Sequence, residues 1–398
     1  MRQDRIGLWL IGARGGVATT ATVGLCALAR GLVGEAALVS RLPALAGLDL
    51  PGWNAMVVGG HEIRGGGLRD EAQRLAEDHR AFDPGLVRQS ADLLDEADGR
   101  IRPGTLIGCG PTISALADMP PPRDRSPREA VERLKDDIRR FSEAERLAHV
   151  IVVNVASTEP PVAAERVPDS WALLNPMLDE PSGCPLRASS LYAVAAIELG
   201  CSYINFTPSL GSDTAALDEL ARTHNTRHMG RDGKTGETLM KSVLAPMFHH
   251  RNLRVMSWVG HNIFGNLDGK VLDDPVNKAG KVASKDHLLR EILGYAPQTL
   301  VSIEYIESLG DWKTAWDHIH FQGFLGTPMT LQFTWQGCDS LLAAPLVLDL
   351  VRFTDLARRR GQVGQMTFLA SFFKSPQGVT EQGFVRQFQM LEQWAAQA

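Results

Sequence analysis

No stretch of the 398-residue chain approaches the ~18 consecutive apolar residues of a membrane-spanning helix. The opening MRQDRIGLWLIGARGG carries an apolar run too short for a secretory leader, so a cytoplasmic location is expected. No block of like charge stands out either. With 41 basic and 46 acidic residues the net charge is −5, without the basic footprint that a nucleic-acid binder needs. Cysteine is sparse: Cys26, Cys109, Cys184, Cys201 and Cys338 are odd in number and lack paired metal-type spacing, which fits reduced thiols. Internal repeats and low-complexity tracts are also missing. What remains is ordinary for a globular chain, 44% hydrophobic and 22% charged residues, over a length that suits roughly two to three domains.

Without a general positive charge, an anionic ligand must be held by a local cluster of cations, and GRDGKTGETLMK, Gly230 to Lys241, has that chemistry. Glycines 230, 233 and 236 free the backbone, Thr235 and Thr238 supply hydroxyls, and Lys241 is expected where a helix begins over Ser242 to Phe248. Exposed N–H groups at a helix start, the helix dipole and a lysine charge make a phosphate site. Thr235, Gly236, Glu237 and Thr238 are its candidate contacts; a solvated turn is the competing reading. Gly233-Lys234-Thr235 ends like a nucleotide-binding P-loop, but His228 stands where that motif needs its first glycine and no strand pattern leads in, which excludes an ATPase or GTPase.

In chain order, Ile6 to Ile11 read as a buried strand, followed by GARGGVATT and an Ala/Leu-rich helix fading at Gly31. Gly12, Ala13, Arg14, Gly15, Gly16, Val17 and Ala18 are the candidate dinucleotide loop, although the glycines do not form GxGxxG. A second strand, Ala55 to Val58, is expected to end at Gly59-Gly60, with Glu62 beyond it the best acid for a ribose hydroxyl. Helical spans are expected over Leu68 to His79 and within Arg123 to Ala148. The all-apolar run Val150 to Val155 predicts a strand buried on both faces, as in a parallel sheet. Asn154, Ala156, Ser157 and Thr158 then fall at its carboxyl end, where open α/β sheets bind ligands. A proline-rich connection, a helix stopped by Gly200, a strand within CSYINFTPS carrying Asn205, Thr207 and Ser209, and a helix over Thr214 to His224 follow. Beyond Phe248 the chain turns β-rich. Asn262, Asn266 and Asp268 end one strand among glycines, Lys278, Lys281 and Lys285 follow, and a Gly310-Asp311 turn joins two amphipathic strands. The tail returns to helix from Ser340 and places Lys374 after aromatic residues. His249, His250, His261, His318 and His320 show no metal spacing, though the last two share one side of a strand. Whether a metal ion or NH4+ is needed stays open. The expected architecture is α/β: a Rossmann-like doubly wound NAD-binding domain from residues 1–200 and 335–398, with an α+β catalytic and oligomerisation domain inserted over 201–334.

Together these segments resemble the myo-inositol-1-phosphate synthase family over nearly the whole chain. The resemblance is carried by GARGGVATT, VVGGHEI, ASSLYAVAAIELGCSYINFTPS, GRDGKTGETLMKSVLA, NIFGNLDG, AGKVASK, the Gly310 to Lys313 turn, the Asp339 to Leu350 helix and FFKSP ending near Lys374, all in the family's order. It implies conversion of glucose 6-phosphate to an inositol phosphate, with NAD reduced and then reoxidised, by a cytoplasmic homotetramer joined through second-domain sheets. Oxidation at C5 makes the C6 protons acidic, an enolate attacks the C1 aldehyde, and the cyclic ketone is reduced. A phosphate dianion, an enolate and an aldolate all call for positive charge away from water. On that reading Lys241 and Lys281 hold the phosphate or reacting oxygens, Lys374 polarises the C5 oxygen, and Lys313 has its protonation set by ion pairing with Asp311. Lys234, Lys278 and Lys285 are lesser candidates. Asn205, Thr207, Ser209, Asn262 and Asn266 are candidate sugar contacts, the asparagines equally turn caps, and Asp268 stands with the cofactor or sugar. The sequence resembles the shorter prokaryotic members, and it departs from the family at Arg14 and Val17, in a loop that in many members reads GWGGNNG, and at Glu237, commonly Gln or Lys. A related cyclitol or carbasugar phosphate synthase, an ordinary NAD-dependent sugar-phosphate dehydrogenase and an inactive NAD-binding scaffold are the competing functions.

Overall fold

A computed structural model describes residues 4–397 except 121, 267, 268, 270 and 272–287. Seven strands form the larger sheet: β1 (Ile6–Ile11), β2 (Met56–Glu62), β3 (Ile101–Pro103), β4 (His149–Asn154), β5 (Ser202–Asn205), β6 (Arg227–Gly230) and β11 (Gly364–Gln365). Every pairing is parallel, in the order β11-β6-β5-β4-β1-β2-β3. The apolar runs of β1 and β4 are there because both faces of this sheet are covered. One face is packed by helix α1 (Gly16–Ala29) and the helix Asp339–Arg359, with Ala18, Ala21, Val347 and Val351 in the same core. On the other, Leu134 and Ile138 of Pro127–Glu145 meet Leu191 and Val194 of Ala188–Glu198. The chain leaves β1 toward β2 and β3 on one side and resumes at β4 on the other, so a crevice opens at the carboxyl ends of β1 and β4. The α/β, doubly wound class read from the sequence is the fold formed.

The smaller sheet has the order β10-β9-β7-β8, from β7 (Arg254–Phe264), β8 (Gln298–Tyr305), β9 (Trp312–Gln322) and β10 (Pro328–Cys338). Its pairings are antiparallel except β7 with β8. One face takes Ala245 and Phe248 of the helix Gly236–His250 against Trp258 and Ile319. The opposite face, by the strand register, carries His261, Trp316, His318 and Leu300 outward, and Trp316 and Leu300 are 38% and 53% exposed.

Three sequence expectations change. Strand β2 does not stop at Gly59-Gly60 but runs through them to Glu62. These glycines are packing residues: a Cβ on Gly60 would sit 2.2 Å from the Leu10 carbonyl oxygen, and one on Gly59 2.9 Å from the Trp9 ring. Strands β5 and β6 are hydrogen-bonded into the larger sheet, so the sheet does not end at the boundary expected at residue 200. A strand does lead into the glycine stretch; β6 was hidden because Arg227 and His228 are polar yet buried, each with partners, the Gln362 carbonyl for Arg227 and Ser212 and Asp218 for His228.

Gly60→Ala should therefore destabilise the fold by about 1–3 kcal/mol, the range of overpacked cores. Urea unfolding checks this, and an unchanged midpoint would show that β1 and β2 can part without cost.

Candidate active site

A cavity of about 490 Å³ opens in the crevice, lined from one side by the carboxyl ends of β1, β2, β4 and β5 and from the other by the turn before β9 and the start of helix Asp339–Arg359. The glycine loop enters from β1. Gly12 (φ +80°) lies so close to β4's exit that a Cβ would be 2.9 Å from the Ala156 Cα. Gly15 caps α1 without a side-chain hydrogen bond, leaving the first helical amides available for an anion. Gly12, Gly15, Gly16 and Val17 line the cavity. Ala13 and Ala18 are buried core instead. Arg14 turns away: its guanidinium is held by Asp98 at 2.8 Å and by the Arg64 carbonyl.

Glu62 is buried rather than a surface residue. Its carboxylate accepts the backbone N–H of Arg14 (2.8 Å), Ile63 (2.8 Å) and Arg64 (3.2 Å), and so ties the glycine loop to the end of β2. It still lines the cavity. Past β4, Ala156, Ser157 and Thr158 also line it. Asn154 lines it too, and donates to Asn205 Oδ1 (3.1 Å) and Thr207 Oγ1 (3.2 Å). Asn205 in turn donates to the Ser209 carbonyl at 2.6 Å, and Ser209 Oγ accepts from the Glu159 N–H. These groups fix the loops after β4 and β5; of the last three predicted sugar contacts only Thr207 reaches the cavity wall.

The glycine stretch and the FFKSP segment, far apart in sequence, pair with each other. Gly233 and Phe373 form an antiparallel bridge. The Lys374 N–H donates to the Asp232 carbonyl (2.6 Å), Lys234 N–H to the Phe372 carbonyl (2.8 Å), and Arg231 and Ser375 exchange bonds of 2.9 and 3.2 Å. A Cβ on Gly233 would lie 2.1 Å from the Phe206 ring, so this approach requires glycine. The pairing sets Lys374 Nζ 2.8 Å from Asp232 Oδ1, both facing the cavity. Asp232 (φ +63°) is a site residue that the sequence reading passed over; a charged residue amid glycines reads as a turn.

The helix over Gly236–His250 starts six residues before Ser242, with Thr235 as an N-cap that makes no side-chain bond. Lys241 thus sits in the second turn, not at the helix start. It is 1% exposed, bonded to Glu237 at 2.6 Å and set 5.8 Å over the Trp258 ring, and it lines no part of the cavity. The family departure at Glu237 therefore has a local partner. Thr235, Glu237, Thr238 and Asn262 surround a small recess that shares Thr235, Lys313 and Lys374 with the main cavity. Gly236 (φ +55°) makes the turn into the helix. Lys313 lies 5.0 Å over the Phe264 ring. The expected Lys313–Asp311 ion pair is replaced, among the described residues, by two other partners. Asp311 accepts Cys338 Sγ (2.9 Å) and the Ser340 N–H (3.0 Å), which makes it a cap of the helix Asp339–Arg359; burial raises its pKa. Asn266 accepts the Gly269 N–H, acting as a turn cap while lining the cavity. Asp268, Lys278, Lys281 and Lys285 lie outside the described residues. Among the described residues no group of three metal-binding side chains occurs.

Lys234 points into the protein, not the cavity. It is 2% exposed, its Nζ reaches Gln387 Oε1, and burial pushes its pKa down to about 7, Glu381 opposing and Lys374 adding to the shift. Glu159 is a second buried charge that sequence reading missed. It lines the cavity, accepts the Ser189 N–H (2.8 Å) and hydroxyl (2.5 Å), and burial raises its carboxyl to about 7 against those bonds and Arg187.

The NAD-binding family model described as myo-inositol-1-phosphate synthase matches residues 40–396. Inositol-3-phosphate synthase 1 of Bacteroides thetaiotaomicron is 33% identical over 94% of this chain and 89% of its own length. The human inositol-3-phosphate synthase 1 is also 33% identical, over 80% of the chain, which spans 57% of that longer relative. In three dimensions the chain matches inositol-3-phosphate synthase from Caenorhabditis elegans with a TM-score of 0.85 at 23% identity, covering 98% of this chain and 85% of that one, a likeness of fold.

Glu159 gives a pH signature. A carboxyl raised from 4.5 to about 7 in the folded state favours the protonated form there, so stability falls as pH rises from about 4.5 through 7. Glu159→Gln should remove that part of the fall, and its unfolding free energy should gain on the wild type between pH 5 and pH 8, by roughly the few kcal/mol such a shift represents. Parallel pH–stability curves for the two proteins would show that Glu159 does not titrate in this range.

Proposed function

The chain belongs to the myo-inositol-1-phosphate synthase family, and from that premise we propose that it is an inositol-3-phosphate synthase, an isomerase that cyclises D-glucose 6-phosphate to 1D-myo-inositol 3-phosphate. The observation that carries the reading is the Lys374–Asp232 pair, set at 2.8 Å on the wall of the cavity into which α1 also opens. NAD fits that cavity. The α1 amides are uncapped, and the approach at Gly12 and Gly16 leaves no room for a side chain, since a Cβ on Gly16 would be 2.6 Å from Ser340 Oγ. Bound NAD supplies acceptance and return of a hydride, so net redox is zero.

The amides of Gly16 and Val17 hold the cofactor's diphosphate. The Lys374–Asp232 pair takes the proton of the sugar C5 hydroxyl and returns it at the end of the cycle, while the ammonium holds the C5 oxygen in place. Lys313, over the Phe264 ring, adds positive charge for the enolate and the C1 oxygen. The phosphate is held at the uncapped start of the helix Gly236–His250, by its amides and by the hydroxyls of Thr235 and Thr238, with Lys281 as a further cation. Lys241 acts from behind this site through Glu237. Thr207 and Asn262 remain the sugar contacts best placed at the two walls. The reaction proceeds in the cytoplasm.

The purified protein with catalytic NAD should convert glucose 6-phosphate to a cyclic phosphate, identified by NMR, without lasting NADH absorbance. Steady NADH accumulation would make it a dehydrogenase. Lys374→Ala should lose at least about a hundredfold in kcat while NAD still binds, and undiminished turnover would remove this lysine from the chemistry.

We further propose a homotetramer joined through the smaller sheets. Support comes from the outward Trp316 and Leu300 and from Phe324 and Leu325, 87% and 86% exposed at the hairpin between β9 and β10. Light scattering should give a mass near four chains, and Trp316→Glu with Leu300→Glu should reduce it; a monomeric wild type would end the idea.

A further inference from the structure

One buried cation has no part in the chemistry above. Lys234 is 2% exposed, lies outside the cavity, and has its Nζ against Gln387 Oε1. Gln387 belongs to the C-terminal helix Phe384–Ala396, is 0% exposed, and spends its other side-chain atom on the Glu381 carbonyl at 2.5 Å. The amide is thus oriented by Glu381, so that its oxygen must face the lysine. A lone lysine is costly to bury, and where one is retained with a single oriented partner the contact defines geometry more than it adds stability.

The geometry it defines is that of the catalytic lysine. The Lys234 backbone N–H bonds the Phe372 carbonyl, Gly233 bridges Phe373, and the Lys374 N–H bonds the Asp232 carbonyl. Asp232 and Gly233 are held on their far side by the carbonyls of Thr207 and Phe206, at 2.9 and 3.0 Å. The loop bearing Asp232 and the segment bearing Lys374 are thus fixed to the sheet by backbone bonds, and packed by Phe372 on Phe353 and Phe373 on Phe206; the Lys234 side chain adds a polar tie from the loop to the C-terminal helix.

We propose that Lys234 is a positioning residue: clamped by Gln387, it holds the paired segments 231–234 and 372–375 in the register that sets Lys374 against Asp232. This rests on the role of Lys374 given above. The charged groups facing Lys234 are Lys374, which repels it, and Glu381, which attracts it.

The test is steady-state kinetics of full-length Lys234→Met, Gln387→Leu and the double variant, with melting temperatures as a check of folding. A displacement of order 1 Å at the reacting group costs about a hundredfold in rate, so each single variant should lose roughly ten- to a hundredfold in kcat with KM little changed. The double variant should be no worse than either single, because the two side chains serve one contact. Loss of a positive neighbour in Lys234→Met should also move the acid limb of the kcat–pH profile to higher pH. Wild-type kcat and an unmoved profile in folded Lys234→Met overturn the proposal. If that variant does not fold, wild-type kcat in Gln387→Leu does so, and failure of both to fold assigns the pair to stability and likewise overturns it. A wild type that forms no cyclic product is a different result, since it ends the assignment of the reaction.

Discussion

Everything at the site depends on a short antiparallel contact between two loops that lie about 140 residues apart in sequence, Arg231 to Lys234 and Phe372 to Ser375. Neither loop is a strand of a sheet. They are held by backbone bonds to each other, and the first also to the exit of β5. The contact is possible because Gly233 lets the backbone lie against the Phe206 ring, where any side chain would collide. From this one approach follow the Lys374–Asp232 ion pair, the burial of Lys234 and the position of the helix that starts at Gly236.

The charges around the cavity are mostly compensated before any ligand arrives. Lys374 has Asp232, Lys241 has Glu237, and Asp311 has the Ser340 amide and the Cys338 thiol. Such pairing keeps buried charge tolerable. Positive potential toward the cavity is then left to Lys313 and to the starts of α1 and of the helix Gly236–His250, which have no side-chain cap. A chain with a net charge of −5 can bind anions in this way without a basic surface.

The fold was largely legible because its signals are local. The apolar runs of β1 and β4 announce two covered faces, and their boundaries fall within a residue of those read from the sequence. Strand β6 was not legible, since Arg227 and His228 look like solvent residues until Gln362, Ser212 and Asp218 arrive from elsewhere. The same limit applied to the site. Glycines 12, 15 and 16, Ser157 and Lys374, singled out because motif and setting agree, line the cavity. Lys241 was placed at a helix start because the glycines 233 and 236 read as loop, whereas Gly236 is the first helical residue. Glu159 and Asp232 were missed because a carboxylate reveals its role only through partners distant in sequence, Ser189 for one and Lys374 for the other.

The helix Asp339–Arg359 covers the α1 face of the larger sheet, yet it follows the whole of the smaller sheet in the chain. On a ribosome, the nucleotide-binding half therefore stays open on that side until translation has passed residue 359. The hairpin of β9 and β10 in the smaller sheet, whose paired strands are close neighbours in sequence, has been synthesised by then. Maturation of the larger unit is closed from its carboxyl-terminal end, by the same segment that goes on to deliver Lys374.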